Sequence, residues 1–170
     1  MKNLYLILML ILASKFTIAQ SHSKEIDVQF EKYKNQKTVT VTNAEGSIDF
    51  EIDTFLNAKR KPERIMLVGK TYNESFATHL IENLGRKRLK LGFKHTTTTE
   101  PNPLDALYSY SYEVYTKGEE YAKYGVNKKN KINYDSSGYE ISRTIDYYIV
   151  LLEIGDISRQ LNGQGTNFNF

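Results

Sequence analysis

The residues able to do chemistry are few. Histidine occurs at His22, His79 and His95 only, and no pair has the i, i+4 or HxH spacing that puts two imidazoles on one metal. His79 sits beside an apolar helical stripe, where a partly buried structural histidine is expected. There is no cysteine, so thiol catalysis, zinc-thiolate sites and disulfides are ruled out. Ser136-Ser137-Gly138 and Gly46-Ser47 offer a serine without the strained G-x-S-x-G turn or a nearby base. Val68-Gly69-Lys70-Thr71 has the end of a phosphate-binding loop, but Arg64 stands where the first glycine belongs, so no nucleotide site is expected.

The acids that could act in pairs are Glu51 with Asp53, Glu119 with Glu120, and Asp146 with Glu153. The first pair belongs to a solvated strand face. Asp146 and Glu153 lie within an apolar segment, where burial would raise their pKa values. Seven residues of strand put them at opposite ends and on opposite faces. No catalytic constellation, metal centre or cofactor site emerges.

Tyrosine is the most distinctive residue type. Tyr108, Tyr110 and Tyr112 alternate with Ser109 and Ser111, so on a strand they share one face as a ladder of amphipathic rings. Such a ladder can stack on sugars or clamp an extended partner, and it can equally pack inside a sheet. It supplies the candidate binding residues.

The elements that must carry these residues follow from periodicity. Ile26, Val28 and Phe30 alternate with polar residues and predict a first strand. Residues 38–53 predict a hairpin about Asn43-Ala44-Glu45-Gly46. Ile65–Val68 reads as a covered strand. Phe76, Leu80 and Leu84 form a helical stripe capped by Asn73 or Ser75 and closed by Gly85, so the main helix is expected at about residues 73–85. Leu89, Leu91 and Phe93 predict a strand, Thr96–Pro103 a loop, Ala106–Thr116 a strand, 117–138 a long loop with a helical turn at Glu119–Lys123, and Arg143–Ile154 a central strand. The fold class expected is α+β: a mostly antiparallel sheet of about five to seven strands with one main helix packed on it.

Residues 1–19 have the basic start, the apolar run Leu4–Ala13 and the small residues Thr17 and Ala19 of a cleavable export signal. That leaves 20–170 as a single globular domain with frayed ends, periplasmic or secreted and of bacterial composition. Lys2 and Lys15 leave with the signal, so 23 basic residues become 21 against 20 acidic, a net of +1. A domain so balanced does not call for nucleic acid. No second apolar run is long enough to be a transmembrane segment after signal cleavage. Basic clusters remain at Lys59-Arg60-Lys61, Arg86-Lys87-Arg88 and Lys128-Lys129, all expected in loops or at strand ends.

The function expected is a non-enzymatic exported binding or interaction module using the tyrosine face, with a glycan or an envelope protein as partner. The alternatives are an envelope-polymer hydrolase working through Asp146 or Glu153, and a protein held at the membrane surface by its basic loops. The alternating tail Thr166–Phe170 ends in Phe as outer-membrane barrels do, but too few strands of barrel length accompany it.

Overall fold

The computed structural model describes residues 24–102 and 105–160, the side chains of 101–109 excepted. The expected export signal, His22 and the tail from 161 lie outside the described residues. In chain order the elements are α1 (Glu25–Tyr33), β1 (Thr38–Asn43), β2 (Gly46–Leu56), β3 (Pro62–Thr71), α2 (Glu74–Lys90), β4 (Lys94–Asn102), β5 (Asp105–Lys117), β6 (Glu120–Tyr134), β7 (Glu140–Asp156) and the single turn α3 (Ile157–Gln160). The fold is α+β: one seven-stranded antiparallel sheet in the order β1-β2-β3-β7-β6-β5-β4.

One face of the sheet is apolar and carries the long helices. Opposite residues in the ladder share a face, so Phe50, Gly69, Val150 and Val126 line up across four strands. Phe76, Ala77 and Ile81 of α2 pack on that face with Ile48, Phe50 and Val150, all fully or nearly buried. Gly69 has no side chain because a Cβ there would collide with Ile48 and sit 2.9 Å from the Phe50 ring. Asn73, one of the two caps that the sequence offered, caps α2 by accepting the Phe76 amide at 3.0 Å.

Four segments differ from expectation. Ile26–Phe30 is helix, not strand: only Ile26 is buried, Val28 is exposed, and the start of α1 is held by distant ion pairs. The main helix runs on to Lys90, five residues past Gly85. That glycine is buried mid-helix, where a Cβ would collide with the Tyr115 hydroxyl, so a close approach rather than a C-cap explains it. Leu89 and Leu91 consequently end the helix and do not begin a strand. The threonine run is edge strand β4, and residues 117–138 are chiefly the long strand β6, entered by a tight turn at Gly118 (φ 59°). Paired hairpin neighbours make strands of segments whose own polarity reads as loop.

The ion pairs of α1 gather at the end of the sheet where β7 finishes. Lys24 reaches Asp156 at 2.6 Å and Glu119 at 2.9 Å, Arg159 grips Asp27 through two 2.7 Å bonds, and Arg88 clasps Glu25 with both terminal nitrogens. Arg88 also donates Nε to the Tyr124 hydroxyl at 2.8 Å. Burial pulls the Arg88 guanidinium down, but Glu25 and Tyr124 outweigh it and hold it above its ordinary value. Burial pushes the Asp156 carboxyl up, yet bonds from Lys24 and Ser158 leave it below the usual aspartate value.

At the opposite end the sheet forks. The β5–β6 ladder runs only from Lys117↔Glu120 to Glu113↔Tyr124. Beyond it, β5 stays with β4 as far as Asn102↔Asp105, while β6 stays with β7 as far as Tyr134↔Glu140. β3 leaves β7 at Thr71↔Tyr148, so the last part of the β6–β7 hairpin projects as a two-stranded arm.

Candidate binding groove

Tyr110 and Tyr112 of β5 fall on the face away from the helices. Tyr112 is 5% exposed: its ring lies against Gly125, the Lys123 ammonium stands 4.2 Å from the ring centroid, and Tyr110 meets it edge-on at 6.4 Å. Lys123 is itself nearly buried and bonds Glu100. Burial and the Glu100 carboxylate push the Tyr112 hydroxyl up to about 12, against a hydrogen bond with Asn127. Tyr110 is half-buried beside it, and the side chain of Tyr108 lies outside the described residues. Tyr112 and Tyr110 therefore share a face as the alternation implied, with Tyr112 packed as a wedge under the fork.

The acids are not brought together. Glu153 is 4% exposed and accepts from the Tyr121 hydroxyl at 2.7 Å. Burial, then Glu153, holds that hydroxyl above its ordinary value. Asp146 is exposed in a bulge of β7, between the pairs Lys129↔Tyr147 and Asn130↔Ile145. Glu51 and Asp53 are exposed on β2, and Glu119 is engaged by Lys24. Gly69 is laddered to β2 and β7 and Lys70 to β7, all within strand β3, which leaves no phosphate loop. His79 is exposed and pairs with Glu45 at 2.8 Å, so it is not the partly buried residue expected. Among the described residues no His, Asp and Glu cluster could hold a metal. No helix among them is long and apolar enough to cross a membrane. Arg88 is buried in its ion pair, so the Arg86–Arg88 cluster is helical and not a basic loop.

What the fork does create is a groove of about 570 Å³ between α2 and the strands β4–β6. Its base is apolar, with Ile81 from α2, Tyr115 from β5 and Tyr124 and Val126 from β6, and exposed Leu89 of α2 stands at its edge. Polar groups stand around it, Thr78, Glu82 and Arg86 on the helix and His95, Ser111 and Glu113 on the strands. Period-two alternation puts His95, Ser111, Glu113 and Tyr115 on the helix-facing side of the β4–β5 hairpin. His95 Nε2 pairs with the Glu113 carboxylate, and its ring lies 5.0 Å from that of Tyr115. Tyr115 and Tyr124 lean together at 5.6 Å, and burial, then the Glu113 charge, holds the Tyr115 hydroxyl above its ordinary value. A concave, mostly apolar site of this size with convergent polar groups is the usual form of a ligand pocket.

Sequence reasoning missed this site because it read 117–138, which supplies Tyr124, Gly125 and Val126, as a loop, and ended the main helix before Arg86 and Leu89. The alternation of Ser111, Glu113 and Tyr115 opposite the tyrosine ladder was the available signal. Comparison with protein-family models, with curated proteins and with solved structures finds no match for this chain.

Proposed function

We propose that this chain is an exported, non-enzymatic binding module whose site is the groove between α2 and the forked strands. The observation that carries the reading is the 570 Å³ groove with an apolar base and a polar rim. A hydrolase working through Asp146 and Glu153 finds less support, since one is exposed in the arm and the other is locked to Tyr121. The tyrosine face enters as the support of the groove: Tyr112 wedges the fork from behind, and the apolar base receives the ligand.

An apolar dye tests the groove. Anilinonaphthalene sulfonate is expected to bind the folded protein, and Leu89→Glu, at a position 51% exposed in the lining, to weaken it at least about tenfold, which is 1.4 kcal/mol. Unchanged dye binding by the folded variant would remove the groove from consideration.

A further inference from the structure

The two strands that part at the fork leave facing edges unpaired. Among the described residues, β5 has no β6 partner from Asp105 to Tyr112, and β6 has no β5 partner from Gly125 to Tyr134; Ser111 and Tyr112 still cover Gly125 and Asn127, so the edge lies open from Lys128 on. A free edge presents a row of N–H and C=O groups, ready to pair with another extended chain. The groove lies at the root of this edge, with Gly125 and Val126 in its lining.

The side chains of β6 sort by face. Val126, Lys128, Ile132 and Tyr134 alternate on the side of α2, and Asn127, Lys129 and Lys131 on the other. From Tyr121 to Tyr134 the strand holds Lys123, Lys128, Lys129 and Lys131 and no acid. Lys128 is engaged by Glu74 at 3.0 Å, while Lys129 and Lys131 are exposed. Lysines along an edge oppose its pairing with the same edge of a second copy. They favour a strand of opposite charge, and repulsion of wrong partners is half of specificity.

We infer that the fork takes an extended polypeptide segment of another protein, added as a strand along the β6 edge. Its apolar side chains enter the groove beneath α2, and its alternate, acidic side chains lie over Lys129 and Lys131. This rests on the groove being the binding site and names its ligand class. Main-chain hydrogen bonds supply affinity in such strand addition, and pockets for alternate side chains supply selectivity.

The test uses fluorescein-labelled peptides of five Val-Glu repeats, the same peptide N-methylated at alternate residues, and five Val-Lys repeats. Anisotropy titrations should show the Val-Glu peptide binding, with N-methylation and the lysine counterpart each weakening it at least about tenfold. The double variant K129E/K131E changes two exposed side chains and should reverse the charge preference, with an unchanged circular dichroism spectrum as the check on folding. Equal binding of methylated and unmethylated peptide, or a preference that charge reversal leaves intact, overturns the inference. So does a concentration-dependent dimer of the native protein that excludes the peptide, which would assign the edge to a second copy. If the dye binds with its Leu89 dependence and no peptide does, the added strand falls and the groove stands. If neither binds, both fall.

Discussion

The two ends of the sheet are built on different terms. At one end, β3, β7, β6 and β5 are laddered without a gap, α1 and α2 cover the apolar face, and Lys24, Glu25, Asp27, Arg88, Asp156 and Arg159 tie helices to strands. At the other, β5 runs on with β4 alone and β6 with β7 alone, and the β6–β7 arm exposes Tyr134, Tyr139, Ile141 and Ile145. A two-stranded ribbon standing alone is marginal in water. The body is therefore expected to hold the fold's stability, and the proposed site lies at the less supported end. Local opening of such a region costs little compared with global unfolding.

Mutations should separate the ends. The largest effect is expected from Phe76→Ala, which empties a fully buried site in the body and should cost about 3–5 kcal/mol in urea denaturation. Arg88→Ala comes next, at about 3 kcal/mol, because it strands the Glu25 carboxylate and the Tyr124 hydroxyl. If either changes stability no more than an arm substitution does, the division is wrong.

Acid should act on the body as well. Asp156 and Asp27 have folded-state pKa values below their ordinary ones, Asp27 through its hydrogen bonds to Arg159. A depressed value gives stability that is fully present above the unfolded pKa, about 3.9, and is lost as pH falls through the folded one. Denaturation midpoints should thus hold steady from pH 7 to about 5 and fall below about 4. Asp156→Asn should flatten that fall.

Within the fork, Gly125→Ala would push a methyl into the Tyr112 ring with the Ser111 carbonyl 3.3 Å away. A cost of about 1–3 kcal/mol is expected, with altered dye binding as the sharper readout. The smallest effect belongs to the arm: Ile141→Ser, at an exposed position, should stay within about 0.5 kcal/mol. A larger loss would show that the arm is part of the body.

The sequence alone determined the elements whose local pattern agreed with their tertiary setting. The hairpin of β1 and β2, the covered strand β3, the Asn73 cap and the stripe of α2, and the aromatic strands β5 and β7 follow from period, turn chemistry and β-branched content. The shared face of Tyr110 and Tyr112 was legible for the same reason, since a strand has only two faces.

Only the tertiary structure decided the rest. Ile26–Phe30 alternates like a strand and becomes a helix tied by pairs such as Glu25 with Arg88, 63 residues apart. The threonines of β4 and the lysines of β6 show no apolar–polar alternation to mark a strand, and their ladder partners reveal it. The groove depends on where β5 and β6 part. Strand register and long-range ion pairs join residues distant in sequence, so no local window contains them.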